Sequence, residues 1–253
     1  MPTLRVPDGP RRSRLSQVEL AADALLADGD ITVVGRVAWS SNAALLVTVA
    51  SDVAETLAVY KPEQGERPLW DFPDGSLCRR ELSAFLLSEA LGWGIVPYTV
   101  LRDGPYGVGS VQRFIDHDPD EHYFTLLDDH IDEFGRFAVF DVIANNADRK
   151  GGHCLEERST GKIFGIDHGL TFHVAPKLRT VIWDFADQAV PDHMLADVAS
   201  LRARLDGALV DEFAALLHPM EVDALLRRID DLLMDGRLPA PDEGYHSVPW
   251  PMI

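Results

Sequence analysis

An α+β protein of two lobes is the architecture the sequence predicts, and three observations point to it. Short runs rich in Val, Leu and Ala, separated by turn residues, occupy much of the first 115 residues, whereas helical periodicity dominates beyond residue 118. Strands and helices kept apart along the chain favour segregated layers over a doubly wound sheet. The chain has 253 residues, 46% hydrophobic and 25% charged, enough to bury one large core or two small ones.

Residues 1–14, rich in Pro, Arg and Gly without periodicity, are expected to form a flexible arm. One domain then spans 15–238, with an N-terminal lobe over about 15–115 and a C-terminal lobe over about 116–238. Ser16-Gln17-Val18-Glu19 is a capping box, so a helix starts there and runs to about Asp28. The runs 31–35, 43–50 and 56–61 read as three antiparallel strands, divided by Ser40-Ser41-Asn42 and Ser51-Asp52. Pro62, Gly65, Pro68, Pro73 and Gly75 make 62–77 a loop. Leu82, Phe85, Leu86, Ala90 and Leu91 recur at helical spacing over 79–91, and Gly92 stops the run. Two further strands are expected near 98–101 and 107–114.

In the second lobe Phe134, Phe137, Phe140 and Ile143 stripe one helix face, a core pattern that Asn145-Asn146 ends. Short strands near 154–156 and 162–166 follow, then helices near 196–204, 206–217 and 219–234, the last with Pro219 in its first turn. Residues 239–253, with four prolines, are expected to be an irregular tail.

The charge count excludes several function classes. With 23 Lys+Arg against 41 Asp+Glu the net charge is −18, which disfavours general nucleic-acid or anionic-membrane binding. The longest apolar stretch, 43–50, is less than half of the roughly 20 residues a membrane span needs. Cys78 and Cys154 alone build neither a disulfide framework nor a cysteine-rich zinc site. The cytoplasm is the expected compartment. Only four of the basic residues are Lys, namely Lys61, Lys150, Lys162 and Lys177, so each is a candidate for chemistry that suits an ammonium.

The densest polar cluster runs from Asn145 through Asp148, Arg149 and Lys150 to Gly151-Gly152-His153, between an apolar helix and a strand. Asp167, in Gly165-Ile166-Asp167-His168-Gly169, ends the next short strand. Two carboxylates at the ends of a small hairpin can converge as Mg²⁺ requires; each loop alone is equally an ordinary Asp/Gly turn. Lys61 closes a strand and Glu81 opens the helix that follows, and such a Lys–Glu pair is how kinases hold an ammonium against nucleotide phosphates. A strand-end Lys is otherwise simply solvated.

The run Asp141-Val-Ile-Ala-Asn-Asn-Ala-Asp148-Arg149, followed by Ile166-Asp167-His168-Gly169-Leu170, resembles the catalytic and metal-binding loops of phosphatidylinositol 3-/4-kinase-like proteins. It is similar above all to an actinobacterial family of that kind, and more distantly to type II phosphatidylinositol 4-kinases and HipA-type kinases. The likeness is strong over 59–172, weak over 35–48, and absent from both tails. It implies a two-lobed protein-kinase-like fold that binds ATP with Mg²⁺ or Mn²⁺ and transfers the γ-phosphoryl group to a hydroxyl.

The resemblance also implies roles. Lys61 would neutralise the α/β-phosphates and Glu81 would orient it. Ser40, Ser41 and Asn42 would cover the phosphates. Residues 112–115, including Gln112 and Phe114, would form the hinge beside adenine. Asp148 would take or position the acceptor proton and sit near the metal, and Asp167 would hold the metal. Relatives carry Asn where this chain has His153, which leaves three readings: a ligand favouring Mn²⁺, a phosphate donor, or a packing residue. His168 and His173 read as packing or supporting residues. Arg149, Lys150, Lys177 and Arg179 would gather into a positive patch for an anionic acceptor, unless they offset neighbouring acids. The acceptor stays open among inositol-type, polyol and protein Ser/Thr hydroxyls, with no nucleic acid, integral membrane contact or disulfide partner. The alternative from another class is a nucleotide-binding pseudokinase that senses or scaffolds without turnover.

Overall fold

The computed structural model describes residues 17–37, 43–242, 244 and 246–253, with the backbone alone for 17–22. The arm at 1–14, the Ser16 capping residue and the Ser40-Ser41-Asn42 turn lie outside the described residues.

Helix α1 (Gln17–Asp28) leads into strands β1 (Asp30–Arg36), β2 (Leu45–Ala50) and β3 (Glu55–Pro62). Helix α2 (Leu77–Leu91) separates them from β4 (Thr99–Gly104) and β5 (Gly107–Arg113). These strands form one antiparallel sheet in the order β1-β2-β3-β5-β4. Period-two alternation along β3 buries Ala58, Tyr60 and Pro62 and leaves Leu57, Val59 and Lys61 on the other face. That alternation fixes the direction in which Lys61 points.

The helical part begins with α3 (Tyr123–Leu126), a short helix the sequence pattern does not announce, and α4 (Ile131–Ala144). The aromatic stripe of α4 is core as expected, with Phe134, Phe137, Phe140 and Ile143 all fully buried. Asn145 ends α4 in the left-handed region at φ 51°. A small hairpin follows, β6 (Cys154–Glu156) with β7 (Ile163–Gly165), and then α5 (Asp192–Arg204), α6 (Ala208–Ala214) and α7 (Pro219–Asp235). The fold is therefore the mixed α+β, two-lobed architecture the sequence predicts.

Helix α2 joins the two parts. Its Arg80 is buried, donating to Glu221 Oε1 of α7 at 2.5 Å and to the Thr171 carbonyl at 2.6 Å. The segment beyond α7 runs back over the helical part, where Ser247 is buried and its carbonyl accepts from Thr180 N and Trp183 Nε1. The Gly151 N–H then donates to the Met252 carbonyl at 2.7 Å. A Cβ on Gly151 would meet the Phe124 ring at 3.1 Å and that carbonyl at 3.4 Å, so glycine there serves close approach rather than an unusual φ. Among the described residues no helix is long and apolar enough to cross a membrane.

Candidate functional site

Lys61 is the centre of the site. Its ammonium donates to Glu81 Oε1 and, at 2.8 Å, to Asp167 Oδ1, so groups 20 and 106 residues away in sequence meet on one nitrogen. The other Glu81 oxygen accepts the His168 backbone N–H at 3.0 Å. Glu81 thus fixes both the lysine from β3 and the turn that carries Asp167. Asp167 follows β7 in the left-handed region, φ 59°, a conformation Asp tolerates and one that projects its carboxylate into the cleft.

The charges shape one another. Burial alone would lower the Lys61 pKa, but the Asp167 and Glu81 carboxylates outweigh it and hold the ammonium above its ordinary value. Lys61 in turn keeps Asp167 well below the usual carboxylate range. His153 Nε2 lies 3.3 Å from Asp167 Oδ2. Burial pushes the His153 pKa down to about 4 against the pull of Asp167, so the ring is neutral at physiological pH.

Asp148 is positioned by its predecessors. Asn146 accepts the Asp148 N–H at 3.0 Å while donating to Asp141 Oδ1 at 2.9 Å. Burial raises the Asp148 pKa, with Asp167 adding to the rise and with Lys150, 3.2 Å away, and Arg179 opposing it. A cleft of about 250 Å³ is lined by Lys61, Glu81, Asp148 and Asp167 on one side and by residues from 62–77 on the other.

The expected nucleotide-side residues and acceptor-side residues fare differently. Lys61, Glu81, Asp148, His153 and Asp167 are brought together. Gln112 is not offered to a ligand: its backbone lies between β3 and β4 in the sheet, and its buried side chain donates to Thr99 Oγ1 at 2.9 Å. The linker begins at Phe114, and Ile115 packs with Leu155, Phe164 and Ile166 in a small apolar cluster separate from the main core.

Two of the four grouped cations are also engaged elsewhere. Arg149 is fully buried and binds Asp141 through Nε and Nη2 at 3.0 and 2.9 Å, so it does not face an acceptor. It is further used on the Ile166 carbonyl at 3.2 Å and on His168 Nε2 at 2.7 Å, which makes that nitrogen an acceptor and His168 a neutral packing residue. Lys177 is buried against Asp71, 2.6 Å away, with its ammonium over the Trp70 ring. Lys150 and Arg179 remain beside Asp148.

Asp141, Asn145 and Asp71 are structural partners that sequence reasoning did not assign. A carboxylate inside the apolar run of α4 was a usable signal, since a buried charge needs a partner. Asn145 donates to the carbonyls of His173 and Ala175 and accepts from Lys177 N, so the end of α4 pins the segment after Asp167. Asp71, in a Pro/Gly loop, carried no such signal.

Asp167 and His153 form a carboxylate–imidazole pair rather than a complete cage, and among the described residues no cluster of three or more His, Cys, Asp or Glu could hold a metal. A carboxylate beside a neutral imidazole suits Mn²⁺ better than Mg²⁺, which prefers oxygen donors.

A model of the phosphatidylinositol 3- and 4-kinase family matches residues 100–229. Protein Rv2133c of Mycobacterium tuberculosis is 41% identical over 263 residues, covering 90% of this chain and 94% of that protein. The crystal structure of a Helicobacter pylori proinflammatory kinase, CtkA, superposes with a TM-score of 0.52 over 80% of this chain and 91% of that one. At 13% identity that likeness concerns the fold.

Proposed function

We propose, for a chain that belongs to the phosphatidylinositol 3- and 4-kinase family, that it transfers the γ-phosphoryl group of ATP to a hydroxyl acceptor. The observation that carries this reading is the single ammonium of Lys61 held between Glu81 and Asp167. Lys61 reaches the α/β-phosphates while Glu81 keeps it from swinging away.

Asp148, fixed by Asn146, orients the acceptor hydroxyl and accepts its proton as the oxygen bonds to the γ-phosphorus and the bond to the β–γ bridging oxygen breaks, releasing ADP. Lys150 offsets negative charge at that end of the cleft. Asp167 and His153 would hold the divalent cation, which when bound neutralises phosphate charge. Most of the catalysis on this reading is positioning and charge stabilisation.

Calorimetric titration with ATP plus Mg²⁺ or Mn²⁺, followed by an ATP-consumption assay, tests the proposal. ATP should bind with either metal, and Asp148→Asn and Asp167→Ala should abolish consumption. Absence of nucleotide binding with both metals would sink the reading. Tight binding without turnover over a broad acceptor panel would favour a nucleotide sensor.

A further inference from the structure

We infer that the phosphate acceptor is a small soluble polyhydroxyl compound, admitted to the narrow cleft under the β3–α2 connection, and neither a polypeptide nor a bilayer lipid. The inference rests on the phosphotransferase reading and narrows its acceptor.

The connection at 62–76 behaves as a strap rather than a loose loop. At its start Glu63–Gly65 form a turn of 3-10 helix. Glu66 accepts the Leu77 and Cys78 N–H groups at 3.1 and 2.8 Å, capping α2 with a carboxylate. In its middle Asp71 takes the Lys177 ammonium at 2.6 Å, and the Asp71 carbonyl lies 3.0 Å from His173 Nε2. Phe72 is buried, with its ring edge-on to His173 at 5.2 Å and under the Arg80 guanidinium at 4.9 Å. The strap is therefore tied to the segment that follows Asp167.

Lys177 and His173, both in the segment after Asp167, hold the strap. The space left between strap and catalytic groups is the cleft of about 250 Å³, with Pro62, Leu69, Leu77 and Leu170 supplying apolar wall and Arg67 polar wall. Once a γ-phosphate occupies part of it, a sugar- or cyclitol-sized acceptor fits at Asp148, whereas an extended peptide needs an open groove. A phosphatidylinositol headgroup would have to leave the bilayer to pass the strap.

The test uses ATP labelled on the γ-phosphate, full-length protein, and Asp148→Asn as the inactive control. Three acceptor arms are supplied: a low-molecular-mass ultrafiltrate of cells that make the protein, vesicles of phosphatidylinositol in phosphatidylcholine, and desalted total cell protein. Label that depends on Asp148 should appear in a water-soluble, non-protein compound. Label in solvent-extractable lipid or in protein would overturn the inference. Nucleotide binding with no label in any arm would also count against it, whereas no nucleotide binding at all defeats the phosphotransferase reading beneath it.

A second measurement addresses the strap. The paired change Asp71→Asn with Lys177→Met removes the ion pair at nearly unchanged volume. It should raise the KM for the soluble acceptor about tenfold and leave the ATP Kd unchanged. An unchanged acceptor KM in a folded variant removes the strap from acceptor recognition.

Discussion

Around Lys61 three charged groups from β3, α2 and the end of β7 converge on one another, whereas in the loops near Asp148 and after Asp167 two of four grouped cations turn inward to partners of their own. The first group is set by element geometry: period-two alternation orients Lys61, the first turns of α2 place Glu81, and a left-handed residue aims Asp167. The second was grouped by proximity in sequence within two loops. Loop position does not determine the partner of a charge, because the partner can arrive from any element packed against it. Asp141 reaches Arg149 from within α4, and Asp71 reaches Lys177 from the strap.

The largest expected effect tests this contrast at Arg149. Arg149→Met should destabilise the protein by about 3–5 kcal/mol in denaturant unfolding, because it leaves Asp141 charged, unpaired and fully buried. The double change with Asp141→Leu should recover most of that loss, since apolar replacement of a whole buried pair is often neutral. If Arg149→Met instead left stability unchanged and reduced only acceptor affinity, Arg149 would belong with the cations of the cleft and the contrast would fail.

What could be read from the sequence follows the same division. Fold class, strand order of appearance, the aromatic core of α4 and the meeting of Lys61, Glu81, Asp148 and Asp167 were legible, because each depends on a local period or on a motif bound to an element end. Gln112 was expected to offer backbone groups in a hinge, but that backbone lies between β3 and β4, and strand pairing is set by tertiary neighbours that no local pattern shows. Thr99 settles the direction of the Gln112 side chain through a tertiary contact. Helix α3 is a single turn with no room for a period. The strap was legible only as a Pro/Gly-rich loop, since its order comes from Asp71, Phe72 and Glu66 meeting residues distant in the chain.

A second effect, smaller than the first, sharpens the Lys61 half of the contrast. Lys61→Met should lower kcat/KM for ATP consumption about 10²–10³-fold, roughly 3–4 kcal/mol of transition-state stabilisation, by removing a preorganised positive charge. Unfolding stability should change far less than in Arg149→Met, because Glu81 keeps the His168 N–H and Asp167 keeps its approach to His153. Equal stability losses in the two variants would place Lys61 among the structural cations. Unchanged activity would remove it from the nucleotide site.

Lys150 is the intermediate case, one of the four grouped cations but paired with Asp148 rather than with a structural acid, and it should show the smallest effect. The 3.2 Å pair with Asp148 is partly solvated, with side-chain exposures of 22% and 26%. Lys150→Met should therefore cost only about tenfold in kcat/KM, the weight of one charged hydrogen bond. The pH–rate profile separates this from a general loss of structure. Burial raises the Asp148 pKa and Lys150 opposes the rise, so deleting the ammonium moves the pKa further up. A reaction that needs ionised Asp148 then loses activity at a higher pH as the solution is acidified, and the acidic limb of kcat/KM shifts upward. An unshifted limb alongside reduced activity would mean that Lys150 acts on phosphate charge alone, and Asp148 would no longer be the group whose ionisation sets the acidic limb.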